Sequence, residues 1–331
     1  MKNIIPGLVA SMGIAAIVLW GKHQISFLET VSPLLISIAL GIVISHALPN
    51  GWKFRLASGL NVAKGTVLRT AIVLYGFNIT FQAFADIGLY GVLSAVIMVA
   101  TILCVGVWLG RRLFGLDTEQ SILVAAGSAI CGAAAVAAFE PIINAKPHKV
   151  LTAISTVVVF GTLSMLMLPI LLELVPLTHH QYGLWAGVSI HEVAQVVVAG
   201  DAISESAAHI AVLEKMFRVV LLVPVLLIVA IWTKYRFQGS NVSTVEKRIT
   251  VPWFAFLFIG VIVINSLEIL PSSFIDILSS VAMYLLCVAM AALGILTHFS
   301  VIKQGGLQAF GLATILFVLL LVLGFGLAAF G

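Results

Sequence analysis

The chain has 331 residues, 61% hydrophobic and only 9% charged, with a formal net charge of +4 and a mean hydropathy of +1.19. Soluble globular chains are nearer ~25% charged, so this mixture cannot clothe a water-facing surface and specifies an all-α integral membrane protein. Its 17 Lys and Arg are dispersed among short loops, which argues against nucleic acid as a partner and leaves the positive excess to set topology.

A hydrocarbon core of about 30 Å needs roughly 20 apolar helical residues per pass. Apolar runs of that order fall at about 4–20, 31–48, 64–84, 88–109, 119–139, 149–172, 180–200, 208–233, 251–269, 275–297 and 306–330, a single transmembrane domain over 1–331 with nine to eleven membrane segments. Segment one begins like a secretory signal, but no small-x-small cleavage site precedes further membrane-like sequence, so it reads as the first span. Lys53, Arg55, Lys64 and Arg69 cluster before or early in segment three, which carries Asn78 and Thr80 near its end. Polar residues at helix ends are routine, and this pair is a lesser site candidate. Arg111 and Arg112 follow segment four. Cys104, Cys131 and Cys287 lie far apart in apolar runs, offering neither a disulfide framework nor metal-ligand spacing.

Segment five contains Gly127-Ser128-Ala-Ile-Cys131-Gly132-Ala-Ala-Ala135, with almost no side-chain chemistry. If its helix breaks near Cys131, the following half-helix presents free N–H groups and a positive dipole end, an anion site within the membrane. The competing reading is a tightly packed small-residue contact. Glu140-Pro141 reads equally as a loop feature or a rim acid.

Lys146, His148 and Lys149 come next, and in a simple eleven-span count they fall outside, against the positive-inside bias. If segments five and seven are broken or re-entrant, each entering and leaving by one face, this loop moves to the cytoplasm and every other loop keeps its side. The N-terminus is then inside and the C-terminus outside. Segment five also enters from the inside and segment seven from the outside, as an inverted repeat requires.

Segment seven, Trp185-Ala-Gly-Val-Ser189-Ile-His191-Glu192-Val-Ala-Gln195, sets four polar residues in an apolar stretch. Uncompensated polar groups are costly there, so Ser189, His191, Glu192 and Gln195 read as a binding or proton-coupling site, or else as hydrogen-bonding glue between helices. The string His191-Glu192-Val-Ala-Gln195 stops short of the zinc-protease pattern, because Gln195 stands where a second imidazole is needed. Segment eight carries Glu214, Lys215 and Arg218. Glu214 and Arg218, spaced i, i+4, are expected to neutralise one another; Lys215 then suits an anion site or snorkels to the interface. Lys234, Arg236, Lys247 and Arg248 follow, marking the cytoplasmic side, and Thr297 and His298 near the end of segment ten are further minor candidates.

Two internal echoes support the repeat. Gly127-Ser-Ala-Ile-Cys-Gly-Ala-Ala-Ala-Val136 aligns with Gly187-Val-Ser-Ile-His-Glu-Val-Ala-Gln-Val196 at a constant offset of 60, and Tyr75-Gly-Phe-Asn-Ile-Thr-Phe81 resembles Leu293-Gly-Ile-Leu-Thr-His-Phe299. Chance matches between small apolar alphabets are the alternative.

Gly127-Ser-Ala-Ile-Cys-Gly-Ala-Ala-Ala-Val136, Ser189-Ile-His-Glu-Val-Ala-Gln-Val-Val197 and Leu74-Tyr-Gly-Phe-Asn-Ile-Thr80, with Phe160-Gly-Thr162, Lys215-Met-Phe-Arg218, Thr250-Val-Pro-Trp-Phe254 and Ala289-Met-Ala-Ala-Leu-Gly294, closely resemble the bacterial YeiH family, to which sulfate export is usually ascribed. The likeness extends over nearly the whole chain. It implies a bacterial cytoplasmic-membrane location and a distant relation to bile-acid-symporter-like transporters, whose paired broken helices cross at the substrate site. By that resemblance Ser128, Cys131, Gly132, Ser189, His191, Glu192, Gln195, Lys215 and Arg218 fall on the family's recurring motifs. Asn78 departs from the pattern, which has Arg there, so an anion contact from that Arg is missing or altered here.

The expected function is a secondary transporter exporting a small anion by alternating access, without a cofactor and without enzymatic activity, coupled to H+ or Na+ or running by exchange. No nucleotide-binding signature is present. A passive channel for a small solute is the chief alternative, and a membrane enzyme or regulatory scaffold the third class. The expected partners are the lipid bilayer and the anion; oligomeric state stays open, a homodimer among the options.

Overall fold

The computed structural model describes residues 4–24, 32–47, 49–79, 81–236, 252–296 and 306–331, and among them every regular element is helical. In chain order these are α1 (Ile5–Gln24), α2 (Pro33–Ala47), α3 (Asn50–Val62), a π-helical stretch (Ala63–Val67), α4 (Leu68–Tyr75) with a 3-10 end (Gly76–Asn78), and α5 (Phe81–Arg112). Then come α6 (Thr118–Ala129), α7 (Ala133–Ile143), α8 (Pro147–Leu172), α9 (His179–Ser189), α10 (Val193–Asp201), α11 (Glu205–Val220), α12 (Leu222–Arg236), α13 (Trp253–Ser266), α14 (Ser272–Leu296) and α15 (Leu307–Phe330). Helices occupy all eleven apolar runs. Among the described residues, six stretches are long and apolar enough to cross a bilayer: within α1, within α5, α8, the run through α11 and α12, α14, and α15. The others are short, like α2 and α13, or interrupted.

The residues cluster into two compact units, Met1–Asp86 with Trp253–Phe299, and Ile87–Pro252 with Ser300–Gly331. The first is held together by backbones in direct contact. A Cβ added at Gly7 would lie 2.2 Å from the Leu56 carbonyl oxygen, and one at Gly41 2.4 Å from that of Ala291. Ser37, Gly41 and Ser45, all buried, recur every fourth residue along one face of α2, the small-residue spacing by which membrane helices approach closely. Gly41→Leu is therefore expected to force α2 off α14 and lower the stability of the purified protein by roughly 1–3 kcal/mol, read as a fall in detergent melting temperature.

In the second unit, segments five and seven are each a helical hairpin. The helix ends at Ala129 and resumes at Ala133, and ends again at Ser189 and resumes at Val193, breaks spaced by the same 60 residues as the sequence echo. Gly127 faces Val136 across the first turn, a Cβ there falling 2.9 Å from the valine Cγ2. In the second, the Tyr182 hydroxyl donates to the Ala199 carbonyl at 2.9 Å, tying the start of α9 to the end of α10. The base of the first hairpin is clasped to the start of α8, where Lys149 Nζ lies 2.6 Å from Asp117 and 2.7 Å from Glu119. Partial burial raises the Asp117 carboxyl, but the hydrogen bond and charge of Lys149 outweigh it and hold the group below the usual carboxylate range. Its contribution is complete above the ordinary carboxylate value and is lost only as pH falls through the lowered one.

α8 runs unbroken for 26 residues, about 39 Å at 1.5 Å per residue. The first hairpin is clasped at its Pro147 end, whereas the second starts at His179, just beyond its Leu172 end. Both turns reach the middle of α8. A Cβ at Gly132 would lie 2.9 Å from Val157, and one at Gly161 2.2 Å from Gln195 Oε1. The two hairpins therefore approach one another tip to tip along opposite halves of α8.

Candidate functional site

A broken helix leaves carbonyls without partners on one side of the break and N–H groups without partners on the other. Here the two kinds meet opposite charges. On the carbonyl side, Arg218 on α11 donates to Ser128 at 2.8 Å and to Ala129 at 2.9 Å in the first hairpin, and to Gly187, Val188 and Ile190 in the second. Lys215 Nζ donates to the Ile190 carbonyl at 2.6 Å. Two cations thus lie against the negative ends of α6 and α9, the arrangement that helix dipoles favour. Both are fully buried, so Lys215 does not snorkel.

On the N–H side, Glu192 caps its own helix α10 in a reciprocal box with Gln195 and also reaches across to accept from the Ala133 N–H of α7 at 3.3 Å. One carboxylate therefore serves the positive ends of both second half-helices. The free N–H groups expected after Cys131 are there, and the anion on the first of them is the protein's own Glu192. Gly132 makes this approach feasible. Its φ of 71° lies in the region that glycine tolerates, and a Cβ would stand 2.5 Å from Glu192 Cγ. Gln195 is fixed in turn by Thr162 on α8, at 3.4 Å.

Ser128, Cys131, Ser189, His191 and Gln195 are all buried at this junction, whereas Glu192 is partly exposed. Ser189 donates to the Leu320 carbonyl of α15 at 2.9 Å. Ser128 Oγ and His191 Nδ1 are buried without a hydrogen-bond partner among the described residues, leaving two polar groups at the tips for a ligand. Asn78 belongs to the first unit, where its side chain accepts from Ser279, and Thr80, Thr297 and His298 lie outside the described residues.

The expected Glu214–Arg218 pairing is not what the structure holds. The guanidinium is spent on carbonyls of the two tips, and Glu214 turns to α5, with Ser94 Oγ 2.7 Å from its Oε1. Spacing on one helix shows which side chains are neighbours; it cannot show that two helix ends from elsewhere compete for the cation. Ala133, Gly161, Thr162 and Ser94 were not singled out as site residues. Ala133 lies within the small-residue string of segment five and Gly161-Thr162 within Phe160-Gly-Thr162, whereas Ser94 left no trace.

The family model described as "Conserved hypothetical protein 698" matches residues 6–313. The UPF0324 inner membrane protein YeiH of Escherichia coli (strain K12) is 40% identical over 326 residues, covering 97% of this chain and 93% of that protein. The protein of the same name from Salmonella typhimurium is 41% identical, covering 98% and 93%, and a UPF0324 membrane protein of Photorhabdus laumondii is 38% identical, covering 97% and 92%. No solved structure matches. With its all-helical, multi-pass architecture and this end-to-end likeness, the chain belongs to the YeiH (UPF0324) family of bacterial inner-membrane proteins.

Proposed function

We propose that the chain is a secondary transporter that exports a small anion by alternating access, with sulfate, a related sulfur oxyanion or an organic sulfonate as the class to test first. The observation that carries this reading is the meeting of two broken tips halfway along α8, with paired cations behind them and one partly exposed carboxylate in front. Irregular backbone at membrane depth is tolerated where it is buried in protein or lines a path for solute, and opposed half-helices are the usual way transporters build one. In a bilayer the hairpins are re-entrant, one from each side, forming an inverted repeat whose pseudo-two-fold axis lies in the membrane plane and turns the two halves of the path into equivalent gates. Lys146 and Lys149 then face the cytoplasm with Arg111 and Arg112. The chain is read as a carrier without enzymatic chemistry, driven by an ion gradient or by exchange.

Proteoliposomes loaded with unlabelled anion test this directly. Uptake of labelled sulfate, sulfite or a small organic sulfonate is expected to saturate and to accelerate when the same anion is trapped inside. His191→Ala and Glu192→Gln are each expected to slow it about tenfold or more, the loss of one charge-assisted hydrogen bond of roughly 1.5–3 kcal/mol. Equal rates in wild type and both variants would remove the tips from the path; conductance without saturation would favour the passive channel.

A further inference from the structure

Glu214 is fully buried, and nothing above gives it a task. Its Oε1 lies 2.7 Å from Ser94 Oγ, which is also 2.9 Å from the Gly91 carbonyl oxygen. Its Oε2 has no hydrogen-bond partner among the described residues and faces the Gly91 backbone, where a Cβ would lie 2.8 Å away. A hydroxyl has one hydrogen to give. Unless that single hydrogen is split between two acceptors, which weakens both bonds, Ser94 donates to Gly91 and Glu214 donates to Ser94, an arrangement in which the carboxyl holds a proton.

The surroundings agree. An ionised carboxylate with one hydroxyl contact and one bare oxygen could not recover its hydration, whereas a neutral acid leaves only a carbonyl oxygen bare. The titratable groups near it are few. Tyr90 on α5 faces it, but its hydroxyl is bonded to the Leu327 carbonyl. On α11 itself Lys215 and Arg218 are spent on the tips. The stretch of α9 against it, around Gly187, carries no titratable group, nor does α15; α10 carries only Asp201, its last residue, after the Gly200 that packs on Ala208, and α12 none before Lys234.

We propose that Glu214 is a proton-binding site and that its proton controls the Arg218 clamp on the two tips. With the proton bound, Arg218 is left to the carbonyls of Ser128, Ala129, Gly187, Val188 and Ile190. On release, the O–H bond breaks with its electron pair staying on the carboxylate, and the proton passes to water. The new buried charge stands one helical turn from the guanidinium, the i, i+4 relation in which opposite charges attract. Arg218 is drawn toward it and its hold on the tips loosens without being given up; proton uptake restores the tight clamp. The proton site stands on the local geometry alone, while its consequence for solute movement rests on the transport reading above.

Infrared difference spectra of the full-length protein in lipid, titrated through neutral pH, test the site without any substrate. Wild type is expected to show a protonated-carboxyl C=O stretch at neutral pH that is missing from Glu214→Gln and shifted in Ser94→Ala, which keeps the acid and removes its hydroxyl partner. Identical spectra in that region for wild type and Glu214→Gln overturn the proposal; should that variant not fold, an unshifted band in Ser94→Ala does so. In proteoliposomes, a pH gradient is expected to accelerate anion uptake by wild type and to have no effect on Glu214→Gln. Equal acceleration of both would break the link to the clamp. A carboxyl band with no transport of any anion tested would uphold the proton site and end the transport reading.

Discussion

Arg218→Met is expected to yield little folded protein, and what is recovered should melt far below wild type in detergent and transport nothing. Methionine fills much of the same volume, so the loss does not come from a cavity. It comes from the carbonyls of five residues in two hairpins that share this one guanidinium. Each buried acceptor left unmatched costs about 1–3 kcal/mol, and a membrane interior offers no water to take the place of the lost donor. Two or three such losses approach the whole of a typical net stability, about 5–15 kcal/mol. Arg218→Lys should recover little, because an ammonium on a flexible stem cannot serve two diverging sets of acceptors as a planar fork does. Thermal unfolding of the three proteins in one detergent checks this, and near-wild-type melting of Arg218→Met would show the tips to be self-supporting.

Gly132→Val is the second large effect, and it separates function from folding. Backbone at φ 71°, ψ −133° is close to a region only glycine enters freely, and forcing a side chain there costs of order 1–3 kcal/mol. The new Cβ would also collide with Glu192 Cγ at 2.5 Å and with Val157 at 2.9 Å. The strain is relieved most cheaply by pushing the Glu192 side chain away, which strips the carboxylate from the Ala133 N–H. Anion uptake is therefore expected to fall to background while the protein still purifies, with a melting loss well short of that of Arg218→Met. Gly13→Ala, where a Cβ meets nothing within 4 Å, is the matching control and should leave both readouts unchanged.

Much of this architecture was legible in the residues. The apolar runs gave the helices, because lipid leaves backbone groups no partner but one another. The small-residue string around Cys131 and the polar string around His191 gave the two breaks, and the misplaced charges of Lys146 and Lys149 pointed to segments five and seven as the interrupted elements. The residues could not give the electrostatics. Arg218 and Glu214 look like a pair on their own helix, and only the convergence of α6 and α9 shows that the cation has richer acceptors. In the same way Glu192 reads as an open acid until the N-terminus of α7 is seen beside it, since a contact between residues 133 and 192 leaves no periodicity in the sequence.

The hairpins also impose an order on biosynthesis. α6 and α7 have 12 and 11 residues, so each is only about 18 Å long or less and neither can partition into lipid alone as a complete span. When this stretch leaves the ribosome, Arg218 has not yet been translated and the carbonyls of Ser128 and Ala129 have no donor. The first hairpin must therefore wait, shielded by neighbouring helices or at the membrane surface, until some 75 further residues have been added. Translation stalled before α11 should leave residues 118–143 open to protease or to labelling reagents, and resumption through Arg218 should close them.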